Sequence, residues 1–487
     1  MATTIRTQWS NTYTRAVTNA NDAIARADDP RASEEVDEAL HILGDLARRA
    51  LADNRGSHGR NRRALARMAR IAAGLALEDE DDDEATDERE AAVPRPRRKT
   101  LSAEQLMALR LESKLGKGSI TRSARVLASA PLADTRSPEV IAALREKHPF
   151  AEPPTPLQDD TPPLRVDAEI LQRVVERLEA KRGSAGGPTG TTYEHILAAV
   201  KTSSAAFNAT LTLVNHMLSG KLPRHPSLLD SSLVGLQKPD GGVRPIAIGE
   251  ALYRLTGLCA MTACEELGRS LAPLQLAVGV SGGVEALAHA VRSALAADPE
   301  AALLTVDMAN AFNTVDRSAL FAAVKKHAPS LLAYVQWSYG APTDLHIVGA
   351  PAGTAPVQSR MGVRQGDTLA MLLFALALQL VLERTQAAAP AVATLALADD
   401  VNLVGKVDDL RAAFLTLTGA QGVASVGLRV QPRKCALTAG PLTAVAGLAA
   451  DLGDQHCPEG ITVCGTPIGT DEYVAAVLSA RADDSIA

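Results

Sequence analysis

Two adjacent carboxylates, Asp399 and Asp400, lie inside the stretch Thr394-Leu-Ala-Leu-Ala-Asp-Asp-Val-Asn-Leu-Val404. Small and apolar residues lead up to them and a second apolar run leaves them, which fits two short buried strands joined by a two-residue turn. Two acids in such surroundings are costly unless something cationic neutralises them. A solvated turn with two exposed acids is the plain alternative. A third acid, Asp307, ends another apolar run, Ala302-Leu-Leu-Thr-Val-Asp-Met-Ala-Asn-Ala-Phe312. Three carboxylates at strand ends could form the shared anionic cradle that two divalent metals about 4 Å apart need for in-line phosphoryl displacement. Oxygen ligands alone suit Mg²⁺, with substrate phosphates completing the shell.

The elements that would hold these acids follow from the pattern around them. A helix is expected from about Val315 to His327, with Leu320, Phe321 and Val324 on its apolar face. Ser232 to Ile248 reads as two strands around Pro239-Asp-Gly-Gly242, a strong turn signal flanked by Lys238 and Arg244. Asp344 to Val348 and Ala355 to Met361 read as a further hairpin, and Thr368 to Arg384 as a long helix with Asp367 as its N-cap. The apolar run Leu369 to Leu382 is interrupted by Gln379 and is shorter than the roughly 18 residues of a membrane span, so it reads as a buried core helix and no membrane partner is expected.

In chain order these blocks resemble the reverse transcriptases. Asp307-Met-Ala-Asn-Ala-Phe312, Gly362-Val-Arg-Gln-Gly-Asp367 with Leu372-Leu-Phe374, Ala398-Asp399-Asp400 and Gly427-Leu-Arg-Val-Gln-Pro-Arg-Lys-Cys435 are similar to the palm motifs. Ile461 to Gly469 resembles the segment leading from palm to thumb, and Leu236 to Ile246 the fingers hairpin; the closest flavour is the non-LTR retrotransposon class. The resemblance covers roughly Gly183 to Val474, and six ordered blocks are far more specific than any one motif.

The resemblance implies an α+β fold: a right-hand polymerase with an antiparallel palm sheet, flanking helices and fingers. It implies RNA-directed DNA polymerisation with two Mg²⁺ ions (Mn²⁺ as the alternative), on an RNA template, a DNA primer and deoxynucleoside triphosphates. Asp307, Asp399 and Asp400 would be catalytic, and with Met308 they would be the metal ligands. Lys434 matches the palm lysine that protonates the leaving pyrophosphate, against a surface lysine after Pro432 as the alternative. Lys238 and Arg244 would hold the triphosphate, against ordinary surface cations. Gln365 and Gly366 would pack on the nascent base pair. Phe312 would lie under the sugar and reject a 2′-OH, against a core aromatic at the start of a helix; this also disfavours RNA-directed RNA synthesis. A Gly/Pro loop at 181–190 matches one that contacts template in the family, against a flexible turn.

Two departures stand out. Leu397 occupies the position where most reverse transcriptases carry Tyr or Phe, and Asn313 replaces a common acid. The chain stops at Ala487, soon after the palm-to-thumb segment, so residues 461–487 are expected to be only the start of a truncated thumb. Leu397 and the truncated thumb support an alternative function, a catalytically silent or decayed reverse-transcriptase-like protein that binds nucleic acid.

Composition bounds the rest. A length of 487 residues with 46% hydrophobic side chains suits a multi-domain globular chain. The N-terminus lacks the apolar core of a signal peptide, so an intracellular protein, nuclear and cytoplasmic, is expected. Five cysteines without a CxxC pair argue against a disulfide framework or a zinc finger and for free, mostly buried thiols. The net charge of −6 is awkward for a nucleic-acid binder, but Glu78 to Glu90 alone contributes −9, leaving the remainder at +3. Any binding surface must therefore come from charge placement.

Residues 1–150 are expected to be a helical extension containing a disordered acidic and basic linker at 78–99, where Pro94-Arg-Pro-Arg-Arg-Lys99 reads as a nuclear localisation signal or a plain linker, with helical patterning returning from Leu101 to Lys147. Val36, Leu40, Leu43 and Leu46 recur at near-helical spacing. Eight arginines between Arg48 and Arg70 read either as an arm for nucleic-acid backbone or as a solvated helix face. Residues 151–165, with five prolines, are expected to be a linker, and 166–460 to be fingers and palm.

Overall fold

The computed structural model describes residues 3–26, 33–51, 130–180, 183–440, 443–452 and 455–486. The acidic run, the basic hexamer, the arginine-rich stretch beyond Leu51 and the helical pattern expected at 101–129 lie outside them. Ten strands are described: β1 (Ser231–Gln237), β2 (Val243–Gly249), β3 (Ala301–Val306), β4 (Thr343–Ile347), β5 (Val357–Ser359), β6 (Ala393–Leu397), β7 (Asp400–Lys406), β8 (Ala436–Ala439), β9 (Gly460–Val463) and β10 (Thr466–Gly469).

The central sheet runs in the order β6-β7-β3-β8 with every neighbour antiparallel. Its two faces follow from the period of two along β3. Ala302, Leu304 and Val306 join Val401 and Leu403 of β7 on one face, against the helices Arg317–His327, Ala370–Ala388 and Val407–Thr418. Leu303 and Val404 face the other way, against Leu287 and Val291 of the helix Gly283–Ala297 and against Ile461, Val463 and Ile468 of the β9–β10 hairpin. Because both faces are covered, β3 is a continuous apolar run rather than an alternating one.

The helix Ala370–Ala388 is apolar and long enough for a membrane span by length and composition, but its apolar side chains from Leu372 to Leu382, all except the half-buried Leu380, are buried in the protein core. It is the core helix expected at 368–384, shifted two residues at its start and four at its end. The helix expected at 315–327 begins at Arg317, because Asp316 caps it by accepting from the Ala319 N–H at 2.8 Å.

The second sheet has the order β2-β1-β4-β5, with β1 and β4 parallel and the other pairs antiparallel. Leu233, Val243, Ala247, Leu345 and Val357 form a small core under it with Leu144 of the helix Pro138–Glu146. Within the stretch expected to be helical from 101 to 147, only 138–146 is helix among the described residues; residues 131–133 instead run along β1, with Leu132 bridging Leu236.

The N-terminal helices Thr3–Ala25 and Ser33–Leu51 share the main core. Trp9, Tyr13, Val17, Val36, Leu40, Leu43 and Leu46 are buried there, and the Trp9 indole donates to the His195 carbonyl at 2.7 Å. The Pro-rich residues expected as a linker run against the palm: the Leu157 N–H donates to Gln336 Oε1 (2.6 Å) and the Leu164 N–H to the Ser330 carbonyl (2.8 Å). All five cysteines are free, but only Cys259 and Cys435 are buried; the other three are half-buried, fewer buried thiols than expected.

Candidate active site

Strand register brings the acids together. Val306 of β3 pairs with Val401 of β7, so Asp307, one residue on, stands level with Asp400 on the adjacent strand. Leu397 pairs with Asp400, which makes Ala398-Asp399 the two-residue turn between β6 and β7. The turn is therefore one residue earlier than expected: Asp400 belongs to the strand, because it completes the ladder with Leu397.

Ala398 holds a left-handed φ of 57°, a conformation that costs a non-glycine residue about 1–2 kcal/mol. Gln275 holds the turn in place. Its fully buried amide accepts from the Ala398 N–H (2.8 Å) and donates to the Ala398 carbonyl (3.2 Å), while residues 274–276 run as a short parallel strap along β6.

Next to Asp307 the chain is pinned on its other side. The Gln431 N–H donates to the Asp307 carbonyl (2.9 Å) and the Ala309 N–H to the Arg429 carbonyl (2.9 Å), with Met308 opposite Val430. The Met308 side chain is buried in the core, so only its main-chain carbonyl could face a cation, and neither of these two bonds uses that carbonyl. A tight turn over Pro432–Lys434 follows directly and puts the exposed Lys434 beside the acids.

The electrostatics are those of crowded acids held by nearby cations. Burial, then the neighbouring Asp400, pushes the Asp399 carboxyl up to about 6. Burial also raises Asp307, opposed by the cations of Lys434 and Lys238, and it raises Asp400, opposed by the Cys464 thiol 3.8 Å from its Oδ2. Cys464 reaches that point because Cys464-Gly465, both at positive φ, make the tight turn between β9 and β10.

Lys238 and Arg244 flank the β1–β2 turn as expected. Asp240 Oδ1 takes the Gly242 N–H (3.0 Å), and Gly242 returns its carbonyl to the Lys238 N–H (2.8 Å). Burial and then Lys434 lower the Lys238 ammonium, while Lys238 helps hold Asp307 down and Arg244 helps hold Asp399 down. Among the described residues no group of three or more His, Cys, Asp or Glu side chains is placed to hold a metal ion by itself. The donor set is oxygen-rich and open, which fits an ion that keeps waters and substrate phosphates as ligands.

Gln365 and Gly366 dock on the second sheet through their backbone. The Ala247 N–H donates to the Gln365 carbonyl (2.7 Å), and a Cβ at Gly366, where φ is 113°, would lie 2.5 Å from the Ala247 carbonyl oxygen. Only glycine fits that approach. Phe312 is half-buried and stacks on the fully buried Phe374, with centroids 4.7 Å apart and planes at 15°. Leu397 is half-buried among residues packed on the small core with Leu276.

The long helix begins at Ala370 with Leu369 at its cap position, so Asp367 is not the N-cap expected. Its Oδ1 does accept from the Leu369 N–H (2.9 Å), but its Oδ2 takes Tyr253 (2.5 Å), Tyr339 (2.6 Å) and Arg364 (3.1 Å) in the interior. Arg364 also donates to the Leu229 carbonyl (2.9 Å) and lies over both tyrosine rings. Arg364, Gln275 and Cys464 were not singled out in the sequence. No local pattern marks them, because each partner lies far away in the chain, except that the Arg364-Asp367 spacing of three is legible as a pair.

An antiparallel sheet that lines up carboxylates at one end, with helices behind it and a second sheet carrying Lys238 and Arg244 at its hairpin, has the palm-and-fingers arrangement of a right-hand polymerase. Residues 236–461 match the family described as reverse transcriptase (RNA-dependent DNA polymerase). The chain is 28% identical over 278 residues to the retrovirus-related Pol polyprotein of the type-1 retrotransposable element R2 of Nasonia vitripennis, covering 54% of this chain and 26% of that protein. It is 28% identical over 254 residues to the retrotransposable element SLACS 132 kDa protein of Trypanosoma brucei gambiense, covering 50% and 21%. The chain thus spans about a quarter of the length of these relatives. Among solved structures, a C-terminally truncated apo telomerase from Candida tropicalis aligns with a TM-score of 0.39 at 12% identity, covering 64% of this chain and 83% of that one. Telomerase from Candida albicans with a fragment of telomeric RNA aligns with a TM-score of 0.37 at 12% identity, covering 50% and 46%.

Proposed function

We propose that this chain is an RNA-directed DNA polymerase that extends a primer 3′-OH with deoxynucleotides on an RNA template, as part of a retroelement. The observation that carries the reading is the register that sets Asp307 level with Asp400, with Asp399 in the adjoining turn. Asp307, Asp399, Asp400 and the Met308 carbonyl would hold two Mg²⁺ ions, with Mn²⁺ as a substitute. Bound there, such ions neutralise developing phosphate charge and make the 3′-OH a better nucleophile. Lys238 and Arg244 would bind the triphosphate, Lys238 as a point charge and Arg244 through its forked donors. Lys434 Nζ would hand a proton to the departing pyrophosphate. Gln365 and Gly366, set by their bond to β2, would form the floor under the nascent pair.

Primer extension on a homopolymer RNA template with Mg²⁺ tests this directly. Wild type should extend, and Asp307→Asn or Asp399→Asn should fall to background while keeping the wild-type circular dichroism spectrum. Extension by either folded variant would remove the two-metal assignment. The second reading, nucleic-acid binding without synthesis, draws on Leu397; in the same assay it requires a wild-type chain that binds template and primer but does not extend.

A further inference from the structure

Beyond the helix Pro138–Glu146 the chain runs Lys147-His-Pro-Phe150, ahead of the family-matched residues 236–461. This segment lies at the mouth of the site. Asn310, three residues after Asp307, donates from its side-chain amide to the Lys147 carbonyl at 2.8 Å, and Arg145 donates to the Ala355 carbonyl at 2.9 Å. Phe150 is 68% exposed, and it is the one aromatic among the large exposed hydrophobic side chains of the described residues. The Arg360 guanidinium lies 4.7 Å from its ring centroid and is itself held by Gln358 Oε1 at 2.8 Å. Two and three residues on from Arg360, the Gly362 and Val363 N–H groups donate to the Val315 and Phe312 carbonyls (3.1 and 2.7 Å), which fixes the pair beside the Asp307 loop.

Singly exposed hydrophobic residues are ordinary; a ring backed by a guanidinium at the mouth of a cationic site is not in that class. Arg145, Lys147 and Arg360 stand here against Glu146 and Glu152, and Lys147 is near enough to act on Lys238. An aromatic face with cations around it suits a base and its phosphate together. Paired bases are already stacked on both faces, so the partner is an unpaired one. We propose that Phe150, backed by Arg360, is a stacking platform for a base of single-stranded nucleic acid entering the site. The placement along the reaction rests on the polymerase reading; the binding does not.

The test is fluorescence anisotropy on the full chain with a labelled oligouridylate, the same strand carrying abasic residues throughout, and a blunt RNA duplex. Phe150→Ala should weaken oligouridylate binding roughly fivefold to a hundredfold, leave duplex binding unchanged, and bind the abasic strand as wild type does. Phe150→Trp should restore binding. Unchanged oligouridylate binding by Phe150→Ala overturns the proposal. So does an equal loss on the abasic strand or the duplex, since the ring would then act through the fold or through another partner. Primer extension by wild type judges the polymerase reading separately.

Discussion

The ring of Phe312 joins two readings that the sequence kept apart. Its stack on the fully buried Phe374 makes it part of the core, while its half-exposed edge lies on the chain that carries Asp307. Phe312→Ala should therefore cost about 2 kcal/mol, less than the 3–5 kcal/mol of a fully buried phenylalanine. It should also raise incorporation of ribonucleotides relative to deoxynucleotides, because the bulk that excludes a 2′-OH is gone. Urea denaturation reads the first effect and matched ribo- and deoxynucleotide efficiencies read the second. An unchanged ratio in a folded, active variant would reduce Phe312 to a packing residue. The acids were legible in the sequence because a carboxylate ending an apolar run conflicts with its surroundings. Arg364 was legible only as part of a motif, since its work is done on Leu229, Tyr253 and Tyr339, all distant in sequence.

At the scale of elements, periodicity located the strands and helices of the palm to within a few residues, because their burial patterns are strong. The errors fell where hydrogen bonding decides. The β6–β7 turn is Ala398-Asp399 because Asp400 pairs with Leu397, and no local preference would choose alanine at positive φ. That choice is enforced by Gln275, 123 residues away in the chain. Gln275→Ala would leave both Ala398 backbone groups without their partner in the interior, a loss of about 2–4 kcal/mol. Because the same turn carries Asp399, extension should fall more steeply than the folded fraction does. Thermal melts and extension rates measured together check this; activity that tracks the folded fraction alone would make Gln275 a purely structural residue.

Across the whole molecule, the helices at 3–25 and 33–51 enter the main core, and the Gly/Pro loop at 183–190 is tied down rather than loose. Glu194 accepts from the Gly183 and Ser184 N–H groups, Arg254 holds the Ala185 carbonyl (2.6 Å), and the buried Glu250 accepts from the Thr189 N–H (2.9 Å) and hydroxyl (2.7 Å). Composition gave no sign of this, since the loop's own residues are those of any flexible turn. Burial outweighs the Thr189 bonds and pushes the Glu250 carboxyl up to about 7. A carboxyl raised on folding contributes stability that is complete below its unfolded value near 4.5 and is lost as the pH climbs through about 7. Glu250→Gln keeps an acceptor for Thr189 and removes the titration, so the stability difference between variant and wild type should move in the variant's favour by about 3 kcal/mol between acid and mildly alkaline pH. Asp399 and its neighbours tilt the stability of both proteins alike, so the difference isolates Glu250. Parallel denaturation curves for the two at every pH would show that this carboxylate is not held neutral.

The buried cluster of Arg364, Asp367, Tyr253 and Tyr339 also sets what can move. It ties the start of the long core helix to the Leu229 carbonyl and the Thr343 hydroxyl at the base of the fingers sheet, so a hinge at that seam would strand a guanidinium and a carboxylate away from water. The cluster thereby resists bending at that seam. The tip of the β1–β2 hairpin, Lys238 to Gly242, lies outside the strand ladder and holds two glycines, so the proposed closure over a nucleotide would fall to it. On the proposed reading, capture of the triphosphate would resemble a latch dropping rather than a hand closing, carried by the five residues outside the β1–β2 ladder.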